Sequence, residues 1–156
     1  MTLRFRNVDA HPDDPVASWP TEAIETALAR GDLDDWRRIA AEVRRDPWGR
    51  TARQVEEVLG HTRPYGVAEL MEALLDRCRA EREAEERTTV AAEIRAAVEE
   101  SGLTMREFAS RVGTSGSRLS TYAGGGVTPS ATMLLRIRRL AARTRAAEDV
   151  DGDRQI

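Results

Sequence analysis

The sequence predicts an all-α protein built as a smaller amino-terminal helical unit with an extended arm, followed by a four-helix unit near the carboxyl end. Three observations carry this reading. After residue 20, apolar side chains recur three and four positions apart in nearly every segment, the period of an amphipathic helix and not of a strand. Ser, Thr and Asp stand at the starts of these segments, with Gly or Pro after their ends. Charge also changes along the chain: residues 1–87 carry 14 Arg against 19 Asp and Glu, residues 88–147 carry 9 Arg against 4 Glu, and residues 148–156 carry 1 Arg against 4 acids. A net charge of −3 therefore conceals a basic module.

The elements follow in order. Residues 1–20 hold Pro12, Pro15 and Pro20, and before them the alternation of Leu3, Phe5 and Asn7 predicts one short edge strand in an extended arm. Residues 21–87 form the amino-terminal unit. TEAIETALARG predicts a first helix with Thr21 as its cap, Ile24, Ala27 and Leu28 on its inner face and Gly31 as its stop. Asp32 is expected to cap a second helix with Leu33, Trp36, Ile39, Ala40 and Val43 inward, ended by Pro47 and Gly49. A third runs through TARQVEEVLG to Gly60. Past Pro64, Val67, Leu70, Met71, Leu74, Leu75 and Cys78 make an apolar stripe. RAEREAEER, residues 79–87, has no apolar residue larger than Ala but offers Arg79–Glu83, Arg82–Glu86 and Glu83–Arg87 pairs, so it reads as a solvated helix or helical linker. A core of this size is marginal alone, which favours packing on the second unit or a second copy.

Residues 88–147 form the second unit. VAAEIRAAVEESG aligns Val90, Ile94 and Val98 and stops at Gly102. Thr104 and Glu107 form a capping box for a helix that turns Phe108, Ala109 and Val112 inward and ends at Gly113. After that turn Ser115 caps a third helix with Leu119 and Tyr122 inside, ended by Gly124, Gly125 and Gly126. Thr128 and Pro129 are expected to open a fourth helix through Met133, Leu134, Ile137 and Leu140. Residues 148–156 are an acidic tail.

Composition narrows the function classes. No apolar run approaches a membrane span, and the first fifteen residues never build the apolar core of a secretion signal, which points to the cytoplasm. Cys78 is the single cysteine, so no intramolecular disulfide is expected, and its helical position suits a buried, unreactive thiol. His11 and His61 lack partners at metal-ligand spacing, and no nucleophilic triad, phosphate loop or paired-carboxylate site stands out, so neither enzyme, metal nor cofactor is predicted. Trp36 and Trp48 are read as core or interface aromatics.

A short helix, a Gly-containing turn and a second short helix with small polar residues outward make a helix-turn-helix arrangement. GLTMREFASRVGTSGSRLSTYAGGGVTPSATML resembles the Cro and phage-repressor (XRE) helix-turn-helix family in its Gly-Leu-Thr start, Phe-Ala pair, turn Gly, capping Ser and later Gly and Pro-Ser. The resemblance covers residues 89–142. It implies a second short helix lying in a DNA major groove, with Ser115, Gly116, Ser117, Arg118 and Thr121 on the reading surface. Arg118, the only long donor among them, would pair with guanine, and Thr121 or Ser117 would add a polar or methyl contact. Backbone amides near Met105 and Ser115, with Arg106 and Arg111, would hold phosphates.

Three departures from the family pattern stand out. Met105 replaces the Gln common there, Gly116 offers no side chain to a base, and LLRIRRLAARTRAAEDV runs on as one helix where the family breaks for a fifth. Arg136, Arg138, Arg139, Arg143 and Arg145 read either as phosphate contacts or as solvated charges. The leading expectation is a dimeric, cytoplasmic repressor bound to double-stranded DNA. Its rival is an antitoxin-type protein whose amino-terminal region neutralises a protein toxin while the helix-turn-helix autoregulates its operon. A scaffold that has lost DNA binding is a third reading.

Overall fold

The computed structural model describes residues 3–152 and is all-helical: α1 (Thr21–Arg30), α2 (Leu33–Arg45), α3 (Arg50–Leu59), α4 (Val67–Glu100), α5 (Met105–Val112), α6 (Gly116–Ala123) and α7 (Ala131–Gly152). The end of the acidic tail, residues 153–156, lies outside the described residues. The chain divides into two compact units, Met1–Glu83 and Ala84–Ile156. No helix among the described residues is long and apolar enough to cross a membrane.

In the first unit α1, α2, α3 and the start of α4 enclose Ile24, Leu28, Ile39, Val43, Val55, Val58 and Met71. The expected edge strand is absent among the described residues: residues 3–15 have no regular structure, and Asn7 adopts a left-handed backbone (φ 57°) that breaks the alternation. This arm is folded onto the core. Leu3, Val16 and Trp19 are buried, and Phe5 meets Trp19 edge-on with ring centroids 5.1 Å apart. The Arg38 guanidinium lies 4.9 Å from the Trp19 ring centroid and donates to the carbonyls of Pro12 and Asp14 at 2.7 and 2.9 Å.

Several sequence expectations are corrected at helix starts. Thr21 is already helical, and Pro20 precedes α1, its carbonyl accepting from the Ala23 and Ile24 amides. Asp32 does cap α2: its carboxylate accepts from the Asp34 and Asp35 amides, and Asp35 accepts from the Asp32 amide at 3.1 Å. Leu33, the first residue of α2, is 53% exposed because the buried face begins one turn later. Trp36 is half-buried and donates its indole N–H to the Ala27 carbonyl at 3.0 Å. Trp48 is 44% exposed, since in the turn between α2 and α3 it is Pro47 that points inward.

On α4 the buried stripe is Val67, Met71, Leu75 and Cys78, and Leu70 stands 52% exposed beside it. Where three pieces were expected, α4 is one unbroken helix of 34 residues. Val67 to Glu100 contains neither Gly nor Pro, so nothing in the backbone stops it. Arg79 pairs with Glu56 of α3 at 2.5 Å and donates to the Pro47 carbonyl, in place of the expected Glu83.

In the second unit the end of α4 and α5, α6 and α7 surround Ile94, Phe108, Leu119 and Ile137, all without solvent exposure. α7 starts at Ala131, later than Thr128 and Pro129 suggested. Ser130 serves as its cap, accepting from the Met133 amide at 3.2 Å, while Pro129 is buried.

Candidate nucleic-acid interface

α5 and α6 are tied together by local chemistry that the sequence dictates. Thr104 Oγ1 accepts from the Glu107 amide at 3.2 Å and Glu107 Oε2 accepts from the Thr104 amide at 2.9 Å, closing a capping box. At the other end Gly113 is left-handed (φ 82°), and the Thr114 amide reaches back to the Ala109 carbonyl at 2.9 Å, a Schellman closure that needs a residue without Cβ. Ser115 Oγ then accepts from the Arg118 amide at 3.1 Å and starts α6. Leu119, Tyr122 and Ala123 face inward, which leaves Ser117, Arg118 and Thr121 exposed on the other side.

The amino ends of the two helices converge. A Cβ placed on Gly116 would lie 3.5 Å from the Cα of Arg106, so the first residue of α6 rests on the start of α5. Gly116 therefore faces α5 and not outward, which removes it from the expected reading surface. The Met105 side chain is half-buried against the core, which leaves for a ligand the backbone amide that the sequence reading assigns to it. Thr121 is exposed, but its hydroxyl donates to the Ser117 carbonyl at 3.1 Å, so only its methyl and an accepting lone pair remain.

The two amino ends differ electrostatically. Hydrogen bonds from the Thr104 backbone and hydroxyl hold the Glu107 carboxyl below the usual carboxylate range, so a full negative charge sits at the start of α5 and opposes a second anion. No acid lies in the first turn of α6, whose Gly116 and Ser117 amides donate to no other acceptor among the described residues. An anion is thus better accommodated at α6.

Packing sorts the arginines that sequence left open. Arg138 makes a two-pronged pair with Glu93 at 2.6 and 3.1 Å, and Arg145 lies 3.8 Å from Glu100. Arg95, which sequence did not single out, donates to the Ala123 carbonyl at 2.5 Å and holds the end of α6. Arg106, Arg111, Arg118, Arg136 and Arg139 are exposed and make no ion pair among the described residues. The Arg136 guanidinium lies 3.4 Å from where a Gly113 Cβ would be, over the turn between α5 and α6. Arg95 has no signal in the sequence, because it owes its role to a helix distant along the chain, whereas Arg136 is among the arginines that the sequence reads as either phosphate contacts or solvated charges.

No family model matches the chain. No curated protein and no solved structure matches it either. Among the described residues no group of three or more His, Cys, Asp and Glu is placed to hold a metal ion.

Proposed function

We propose that the chain is a cytoplasmic, non-enzymatic, sequence-specific DNA-binding regulator that acts as a dimeric repressor on a two-fold operator. The observation that carries this reading is the convergence of the α5 and α6 amino ends beside Ser117 and Arg118, in a segment that resembles the phage-repressor helix-turn-helix. The positive amino end of α6 and the unpaired arginines suit a phosphate backbone, and a short exposed helix suits the major groove. Arg118 reads a guanine, a bidentate contact worth about 1–3 kcal/mol of discrimination. Arg106, Arg111 and the free α6 amides set register on phosphates. One short helix offers few base contacts, so specificity rests on pairing two copies.

Selection of duplexes from a random library tests this with wild-type protein and Arg118→Ala side by side. A palindrome enriched by the wild type and lost by the variant supports the reading; Arg106→Ala is expected to weaken binding to every sequence equally. Equal loss on operator and random DNA for Arg118→Ala removes it as the base reader.

An antitoxin role is the second reading. It is favoured by an apolar strip on α4, where Leu70 and Leu74 edge a groove of about 350 Å³ framed by Arg44, Arg77 and Glu81. A toxin that co-purifies through this strip would decide for it.

A further inference from the structure

The first unit carries more acids than arginines, and most of its arginines are engaged. Arg37, Arg45, Arg63, Arg77 and Arg79 each meet a carboxylate, and Arg38 and Arg50 donate to backbone carbonyls. Arg4, Arg6, Arg30, Arg44 and Arg53 have no such partner among the described residues, and the first three stand together. All three are exposed, have no ion pair or hydrogen bond among the described residues, and line one groove of about 840 Å³ between residues 3–8 and α1.

The chain is bent to make this groove. Residues 6, 7 and 8 line it in succession, which a straight strand with alternating faces does not allow. The left-handed backbone of Asn7 supplies the bend, a conformation that Asn tolerates better than most residues. Val8 and Ala29 add apolar surface. Of the two acids present, Glu25 already accepts from Thr62 Oγ1 at 2.7 Å, with His61 Nε2 3.5 Å away, which leaves Glu22 facing the groove.

We infer that this groove binds a small organic anion. Guanidinium forks match carboxylate and phosphate oxygens, and unpaired like charges around one cavity repel each other until an anion enters. The volume falls in the range of small-molecule sites. Glu22 selects for a hydroxyl or amino group on the same molecule. The site belongs to the first unit and needs no DNA, so it stands or falls separately from the reading of α6.

Citrate and inorganic phosphate serve as probes, each titrated at constant ionic strength into the ¹⁵N-labelled full chain while amide shifts are followed. Saturable shifts at Val8, Thr26 and Ala29 are expected, weakened about fivefold by Arg6→Gln or Arg30→Gln and unchanged by Arg53→Gln on α3. Saturation by citrate alone assigns a carboxylate as the recognised group, and saturation by both extends it to phosphate. Absence of saturation with either probe, or shifts that persist in both variants, overturns the inference.

Discussion

Gly116 illustrates how one missing side chain is read differently before and after packing is known. In sequence it is a gap in a reading helix; in the fold its hydrogen points at the Arg106 Cα, and the distances of 3.5–3.9 Å to that residue leave room for a methyl. Its backbone is helical and so suits alanine. Gly116→Ala is therefore expected to raise stability by about 0.5 kcal/mol, chiefly by restricting the unfolded chain. A rise in thermal midpoint checks this, and a fall would mean that α5 and α6 approach more closely than described. Inward residues of regular helices, such as Ile24, Phe108 and Ile137, were legible because periodicity marks them. Trp19 was not: it is fully enclosed, yet it lies in a non-helical stretch where no period exists to reveal it. Leu33 and Leu70 show the converse, apolar residues at plausible spacing just outside the width of the buried stripe.

At the scale of elements, the starts and stops that depend on a few neighbouring residues were the most legible. The boxes at Asp32 and Thr104 and the cap at Ser115 each follow from side chains within three positions of the backbone they bond. Asp32→Ala removes an acceptor for two amides and is expected to cost about 1 kcal/mol, read as a lowered denaturant midpoint with an unchanged slope. An unchanged midpoint would show that Asp35 and solvent replace it. Starts next to proline were less legible, because Pro20 and Ser130 took the roles assigned to Thr21 and Thr128. The continuity of α4 was hidden by its polar middle, where periodicity fades; the absence of any Gly or Pro over those residues was the signal that survives. For the candidate site, the convergence of α5 and α6 was readable only as a resemblance, since it depends on a packing distance.

Across the whole molecule, ion pairs between distant segments set the response to acid. Arg79, Arg63 and Arg138 hold Glu56, Glu72 and Glu93 below the usual carboxylate value of 4.5, and Thr104 does the same for Glu107. A carboxyl whose folded value is depressed contributes stability above its unfolded value and loses it as pH falls through the folded one. Stability is accordingly expected to be level near neutrality and to drop on acidification below the usual carboxylate value. Denaturant midpoints measured against pH check this, and a Glu93→Gln variant should show a shallower drop. The same pairs have a second consequence. Glu93 and Glu100 occupy Arg138 and Arg145, so a phosphate arriving at α7 must compete with a carboxylate already in place. Under the proposed DNA-binding reading, these two acids would work as a brake on adhesion: they would limit how long the chain lingers on random sequence without touching the exposed face of α6.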